Sequence, residues 1–300
     1  AQDGIFVYVP DEVVLERPVQ VINLLRANAD LMGFQRNLVV VGKNARATVL
    51  VCDHTLSDHH FLMNNTTEVS LAQGAYLDYY QVQNQHLGAS QVNSLFVSQQ
   101  RKAVFDGNMV TLYGGLIRNN MYVALHEEGG ECNLYGMYIL DKNQVVDNFS
   151  YIDHIAPHCV SHEHFKGVMD DHSLANFSGY IRVRPDAQKT EAYQANNNLL
   201  LSEQARVNSK PQLMIDADDV KCSHGASVGQ MDEEAMFYLR SRGIGPEEAR
   251  MMLMFGFAHD IIRHVRLEPL RRKIDDLIDK RLRGELSKCY HCMMQCKKQE

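Results

Sequence analysis

The sequence predicts a mainly β protein, a right-handed parallel β-helix core followed by a C-terminal helical domain. Three observations carry this reading. Short alternating or β-branched runs recur as far as about residue 230, a polar turn followed by Ala recurs between them, and helical periodicity takes over afterwards. The expected organisation is a segment over 1–36 leading into the core, a β-helix over 37–230, and a helical domain with a Cys-rich tail over 231–300.

Strands are expected at Phe6–Val9 and over 37–41, 48–51, 82–97, 121–125, 135–140, 180–183 and 199–201. Turn residues such as Gly42-Lys43-Asn44 and Arg184-Pro185-Asp186 separate them. The one helical candidate in this half spans 19–31, which excludes repeated βαβ units. The turn-Ala unit occurs as Lys43-Asn44-Ala45, Gln73-Gly74-Ala75, Pro185-Asp186-Ala187, Glu203-Gln204-Ala205 and His224-Gly225-Ala226. The last three alanines lie 18 and 21 residues apart, and an irregular period of about 20–30 residues suits stacked coils. A single coil cannot bury its own apolar face, whereas stacked neighbours build a continuous core.

Past residue 230 the pattern is helical. Asp232 is placed to cap a helix through Ala235, Met236 and Leu239 that ends at Gly243. Gly245-Pro246-Glu247-Glu248 restarts a helix with Pro in its first turn and acids at its positive end. There Ala249, Leu253, Phe257 and Ile261 form one apolar stripe, and Leu270, Ile274, Leu277, Ile278 and Leu282 mark a third helix.

Composition bounds the function. With 300 residues, 45% of them hydrophobic and 22% charged, the chain can bury a large core. Its longest apolar runs, such as 38–41, fall far short of the roughly 20 residues of a membrane span. The net charge is −7 and no basic stripe is present, which argues against nucleic acid as a partner. Seven cysteines, an odd and sparse set, argue for reduced thiols and a cytoplasmic location. Ala1-Gln2-Asp3-Gly4 has neither a basic nor an apolar leader, so secretion is not expected. Neither GxxxxGK[ST] nor a helix-opening GxGxxG occurs, so any ATP hydrolysis is assigned to another chain.

Four groups of residues could carry chemistry. Cys222 and His224 are two apart in an expected strand and so share a face. A thiolate beside an imidazole suits iron and iron–sulfur species; the plainer reading is a small buried residue and a turn histidine. The stretch from Asp153 to His172, with His154, His158, Cys159, His162, His164, Asp170 and Asp171, lacks strong ligand spacing and reads as structural. Cys289, His291, Cys292 and Cys296 could complete a tetrahedral zinc site or hold a cluster, against a merely thiol-rich terminus. Met251, Met252, Met254 and Phe255 make the second helix apolar nearly all round, so it must be buried on more than one side, by a partner or by its own domain.

The stretch from Asp218-Asp219-Val220-Lys221-Cys222-Ser223-His224-Gly225-Ala226-Ser227-Val228-Gly229-Gln230 into Asp232-Glu233-Glu234-Ala235-Met236-Phe237-Tyr238-Leu239-Arg240-Ser241-Arg242-Gly243-Ile244 strongly resembles the SufB/SufD family of iron–sulfur cluster assembly proteins, its SufD branch in particular. His154-Ile155-Ala156-Pro157-His158-Cys159, Ala187-Gln188-Lys189-Thr190 and Asn198-Leu199-Leu200-Leu201-Ser202 resemble core segments of the same family, and Gly4-Ile5-Phe6-Val7-Tyr8-Val9-Pro10 resembles the lead into that core. Family members usually carry a further N-terminal helical region. The resemblance implies a non-catalytic scaffold that pairs with a SufB-like subunit through its last coils and docks a SufC-like ABC ATPase through its helices. Unpaired strand edges expected where the coils stop, over 212–229, predict a homodimer when the chain is isolated, and no tightly bound cofactor is expected. The resemblance also implies a role for Cys222 and His224 in a transient cluster shared with SufB, and leaves flavin binding open. The alternatives are a β-helix enzyme acting on polysaccharide, disfavoured by the absent Trp and the odd thiols, and a metal-binding protein using the Cys tail.

Overall fold

The computed structural model describes residues 3–284. In chain order the strands are β1 (Phe6–Val9), β2 (Val19–Leu25), β3 (Leu31–Val41), β4 (Arg46–Thr55), β5 (Phe61–Leu71), β6 (Tyr76–Asn84), β7 (Ala89–Gln99) and β8 (Val104–Tyr113). They continue as β9 (Leu116–Leu125), β10 (Glu131–Leu140), β11 (Val145–His154), β12 (Val160–Met169), β13 (Leu174–Val183), β14 (Glu191–Leu200), β15 (Arg206–Ile215) and β16 (Lys221–Gly229). Helices α1 (Glu233–Ser241), α2 (Pro246–Ile262) and α3 (Glu268–Leu282) follow. Odd-numbered strands stack in order into one sheet and even-numbered strands into a second, with parallel pairing throughout. The chain is thus a two-sheet parallel β-solenoid ending in three helices.

Paired residues lie 26 to 32 positions apart, as in Ser90 against Leu116 and Phe6 against Leu38. One coil is therefore two strands and two turns. The spacings of 18 and 21 mix different corners: Ala187 precedes β14, Ala205 precedes β15, and Ala226 lies inside β16. At the corner leading from odd to even strands, one position is held left-handed coil after coil: Asn44, Gly74, Lys102, Gly129, His158 and Lys189. That repeated geometry explains the polar turn residues seen in the sequence.

Residues 19–31 are not helical. They form β2 and the start of β3, and alternate residues Val19 and Val21 pack on the solenoid core, a period of two that the β-branched side chains favour. The run over 82–97 divides into β6 and β7 around Gly88, whose amide donates to His86 Nδ1 at 2.9 Å. Sheet pairing already includes β1 and β2, upstream of residue 37.

Inside the solenoid, stacked Val, Leu, Ile, Phe and Ala side chains from both sheets form one continuous core. A second core lies on the outer face of the even sheet. Leu50, Tyr80, Val110, Leu112, Met137 and Ile139 pack there against α2 and α3. The capping residues act as their types predict. Asp232 Oδ1 accepts from the amides of Glu234 and Ala235, Gly243 takes the left-handed conformation, and Pro246 opens α2. In α2 the fully packed face runs through Ala249, Met254, Ala258, Ile261 and Ile262, while Leu253 and Phe257 of the expected stripe are half-buried. In α3, Leu270, Ile274, Leu277 and Ile278 are buried as the periodicity requires.

Polar clamps hold the helices in place. Arg281, only 5% exposed, donates to Leu112 O and Gln144 Oε1, both at 2.7 Å, and pairs with Asp141. Lys166 reaches Asp260 at 2.6 Å, Arg266 pairs with Asp106, and His264 stacks on Tyr135. Among the described residues no helix is long and apolar enough to cross a membrane.

Candidate functional site

The coils stop at β15 and β16, the terminal strands of their sheets. Each has one edge paired and, among the described residues, the other free, and both strands are largely exposed. A free edge offers unpaired N–H and C=O groups to another strand. In β16, Cys222 is in register with Ala192, and His224 with Gln194. Both partners are buried in the lumen, so Cys222 and His224 share the inward side, as their spacing predicts. Cys222 is half-buried against the core and His224 is exposed. Burial pushes the Cys222 thiol up, against the backbone hydrogen bond of Ala192, and favours the neutral thiol in the isolated chain.

Each residue tops an interior column. Below Cys222 lie Ala192, Ser161 and Cys132, and below His224 lie Gln194, Glu163 and Leu134. Gln194 Nε2 donates to Glu163 Oε2 at 2.6 Å. Burial raises the Glu163 carboxyl to about 7, although Ser150 and Gln194 both work to lower it. An ionisable carboxyl two coils beneath His224 was not singled out in the sequence, because a glutamate between two histidines reads as surface.

The remaining candidates are scattered. His154 is buried with Nε2 at 2.9 Å from Ser161 Oγ, Cys159 is buried, His162 stacks on Tyr193, and His164 lies 3.0 Å from Asn197 Oδ1. Asp153 pairs with Arg184, and Asp170 and Asp171 shape a turn. Each has a structural partner, and among the described residues no group of three or more His, Cys, Asp or Glu is placed to hold a metal ion. Cys289, His291, Cys292 and Cys296 lie outside the described residues.

The methionines divide. Met254 is buried against the solenoid and belongs to the internal face, because a helix lying on a sheet must turn one side inward. Met251 and Phe255 are half-buried, while Met252 is 47% exposed. In α1, which buries no residue, Phe237 and Tyr238 are 74% and 55% exposed. Helical periodicity gives no apolar stripe that would single out this pair, because the two side chains lie about 100° apart on α1.

Comparison with known proteins bears on this arrangement. The family described as "SUF system FeS cluster assembly, SufBD core domain" matches residues 24–257, most of the solenoid together with α1 and much of α2. The chain belongs to the SufBD family. It is 31% identical over 277 residues to the iron–sulfur cluster assembly protein SufD of Escherichia coli, covering 90% of this chain and 65% of that protein. With SufD of Bacillus subtilis it shares 28% over 286 residues, 93% of this chain and 64% of that one. A SufBD family protein of Synechocystis is 31% identical over 299 residues, 97% of this chain and 63% of its own. The chain therefore spans just under two thirds of the length of each of these three relatives. Membership in this family answers the polysaccharide alternative, and the two SufD relatives make the chain SufD-like.

Proposed function

We propose that this SufBD-family chain is a non-catalytic, SufD-type scaffold that offers Cys222 and His224 at a subunit interface where an iron–sulfur cluster is assembled. The observation that carries the reading is the placement of both side chains on the inward side of the last strand, beside free sheet edges. A SufB-like subunit would add strands to the edges of β15 and β16, burying the two residues against its own last coil. The cluster is cargo, and a neutral Cys222 thiol would lose its proton on binding iron. Without that partner, the same edges would pair two copies of this chain. An ABC-type ATPase would dock on the helical face presenting Phe237, Tyr238 and Met252 with part of Phe255.

The test is reconstitution with a SufB-like subunit and its ATPase. Cys222→Ala and His224→Ala should leave folding and complex size unchanged and lower the iron and sulfide recovered. Unchanged cluster content in both variants would refute the assignment.

A further inference from the structure

At the opposite end of the solenoid, the lumen opens through a cavity of about 360 Å³ among β2, β3 and the strands behind them. Asp53, only 1% exposed, sits in its wall. Its neighbours Cys52 and His54 alternate to the outer side of β4, so the mouth receives the carboxylate without the thiol or the imidazole. Asp53 Oδ1 accepts from Asn23 Nδ2 at 2.8 Å, and Oδ2 accepts from Gln91 Nε2 at 2.9 Å and Gln81 Nε2 at 3.3 Å. It makes no salt bridge among the described residues, and its hydrogen-bond partners are three neutral side-chain amides.

The same cavity holds oxygens without donors. Asn65, Gln85 and Gln91 each line it, each is at least nine-tenths buried, and Asn65 Oδ1, Gln85 Oε1 and Gln91 Oε1 have no hydrogen-bond partner. Two of these orientations are set by their neighbours. Gln91 must turn its NH₂ toward Asp53, which accepts only, and this leaves Oε1 on the other side. Asn65 begins a one-way ladder: Asn65 Nδ2 donates to Asn93, Asn93 to Asn119, and Asn119 to Asn148, at 2.9 to 3.1 Å. Every later oxygen receives a donor from the coil before it, and only the first, Asn65 Oδ1, is left open at the mouth.

We propose that this mouth binds a hard monovalent cation, an alkali-metal ion, through the Asp53 carboxylate and the side-chain carbonyls of Asn65 and Gln85. Carboxylate and amide oxygens are the donors such ions take, while the Cys52 thiol and the His54 imidazole are turned outward. Asp3 also lines the cavity but lies exposed at its rim, so Asp53 is the one buried carboxylate of the lining, and one buried carboxylate among neutral carbonyls matches a single positive charge. The ion would give Asn65 Oδ1 and Gln85 Oε1 a partner and balance the Asp53 carboxylate.

The experiment is thermal melting of the whole chain in sodium, potassium and choline chlorides at equal ionic strength. Choline is too large and too apolar to replace the ion. At about ten times the dissociation constant, the alkali salt should raise the melting point by roughly 3 °C over choline, and Asp53→Asn should abolish the difference. Sodium NMR line broadening on wild-type protein, relieved by excess potassium, reads occupancy without relying on a variant. Equal melting in all three salts with no line broadening would leave a water-filled mouth and overturn the proposal. So would an alkali effect that Asp53→Asn retains. A response confined to calcium would overturn the monovalent assignment.

Discussion

Replacing Glu163 with Gln should stabilise the protein at alkaline pH, and the size of the gain follows from burial. Glu163 is 2% exposed, and its carboxyl rises from an ordinary 4.5 to about 7. Between those values the folded chain keeps a proton that the unfolded chain has lost. The stabilisation from the neutral carboxyl is therefore complete below pH 4.5 and is lost as pH climbs through 7. By pH 8 the buried carboxylate costs the fold roughly 3 kcal/mol. Gln cannot ionise and can still accept from Gln194 Nε2, so Glu163→Gln should escape that cost.

The difference between variant and wild type is the quantity to measure, because His154 acts in the opposite direction. Burial lowers it from 6.5 to about 4, so its stabilisation is present above 6.5 and is lost as pH falls through 4. Burial holds the Cys132 thiol neutral across this range. His154 and Cys132 are common to both proteins and cancel. Urea unfolding at pH 5 and pH 8 should show a small difference at the first and a variant more stable by roughly 2–3 kcal/mol at the second, with melting raised by roughly 5–10 °C. A variant less stable at pH 8, or a gap independent of pH, would refute the reasoning.

Four further substitutions probe the packing. Arg281→Ala strips the clamp between α3 and β8 and leaves Asp141 unpaired; it should cost roughly 3–5 kcal/mol and open α3 to protease, so a cleavage pattern like wild type would count against the clamp. Gly167→Ala would put a Cβ 2.1 Å from Tyr138 Cε2 and 2.6 Å from Asn198 Oδ1, and should lower the urea midpoint by the equivalent of roughly 1–3 kcal/mol; an unchanged midpoint would mean the lumen yields there. Met254→Glu buries a charge against Met137 and Ile139 and should unfold the helical cap, whereas Met252→Glu should keep native circular dichroism and weaken ATPase capture; the reverse pattern would exchange the two faces of α2.

Local chemistry made much of this architecture legible. Period-two alternation marks most of the strands, and Asn44 and Gly74, residue types that accept left-handed backbone, mark a repeated corner. Asp232, Gly243 and Pro246 mark helix ends through their own capping geometry. The segment around Cys222 and His224 was readable in the same way, since their shared face follows from spacing alone. Tertiary structure decided what depends on partners about 30 residues away. Residues 19–25 became a strand, and Leu31 opens the next one, because β4 and β5 lie alongside them, and Met254 rather than Leu253 is fully buried because of how α2 lies on the even sheet. Glu163, Asp53, Asn65 and Gln91 read in sequence as surface residues, since polar side chains alternate with apolar ones on any half-exposed strand. Only the pairing register turned them inward, where stacked coils supply the hydrogen bonds that water would otherwise provide.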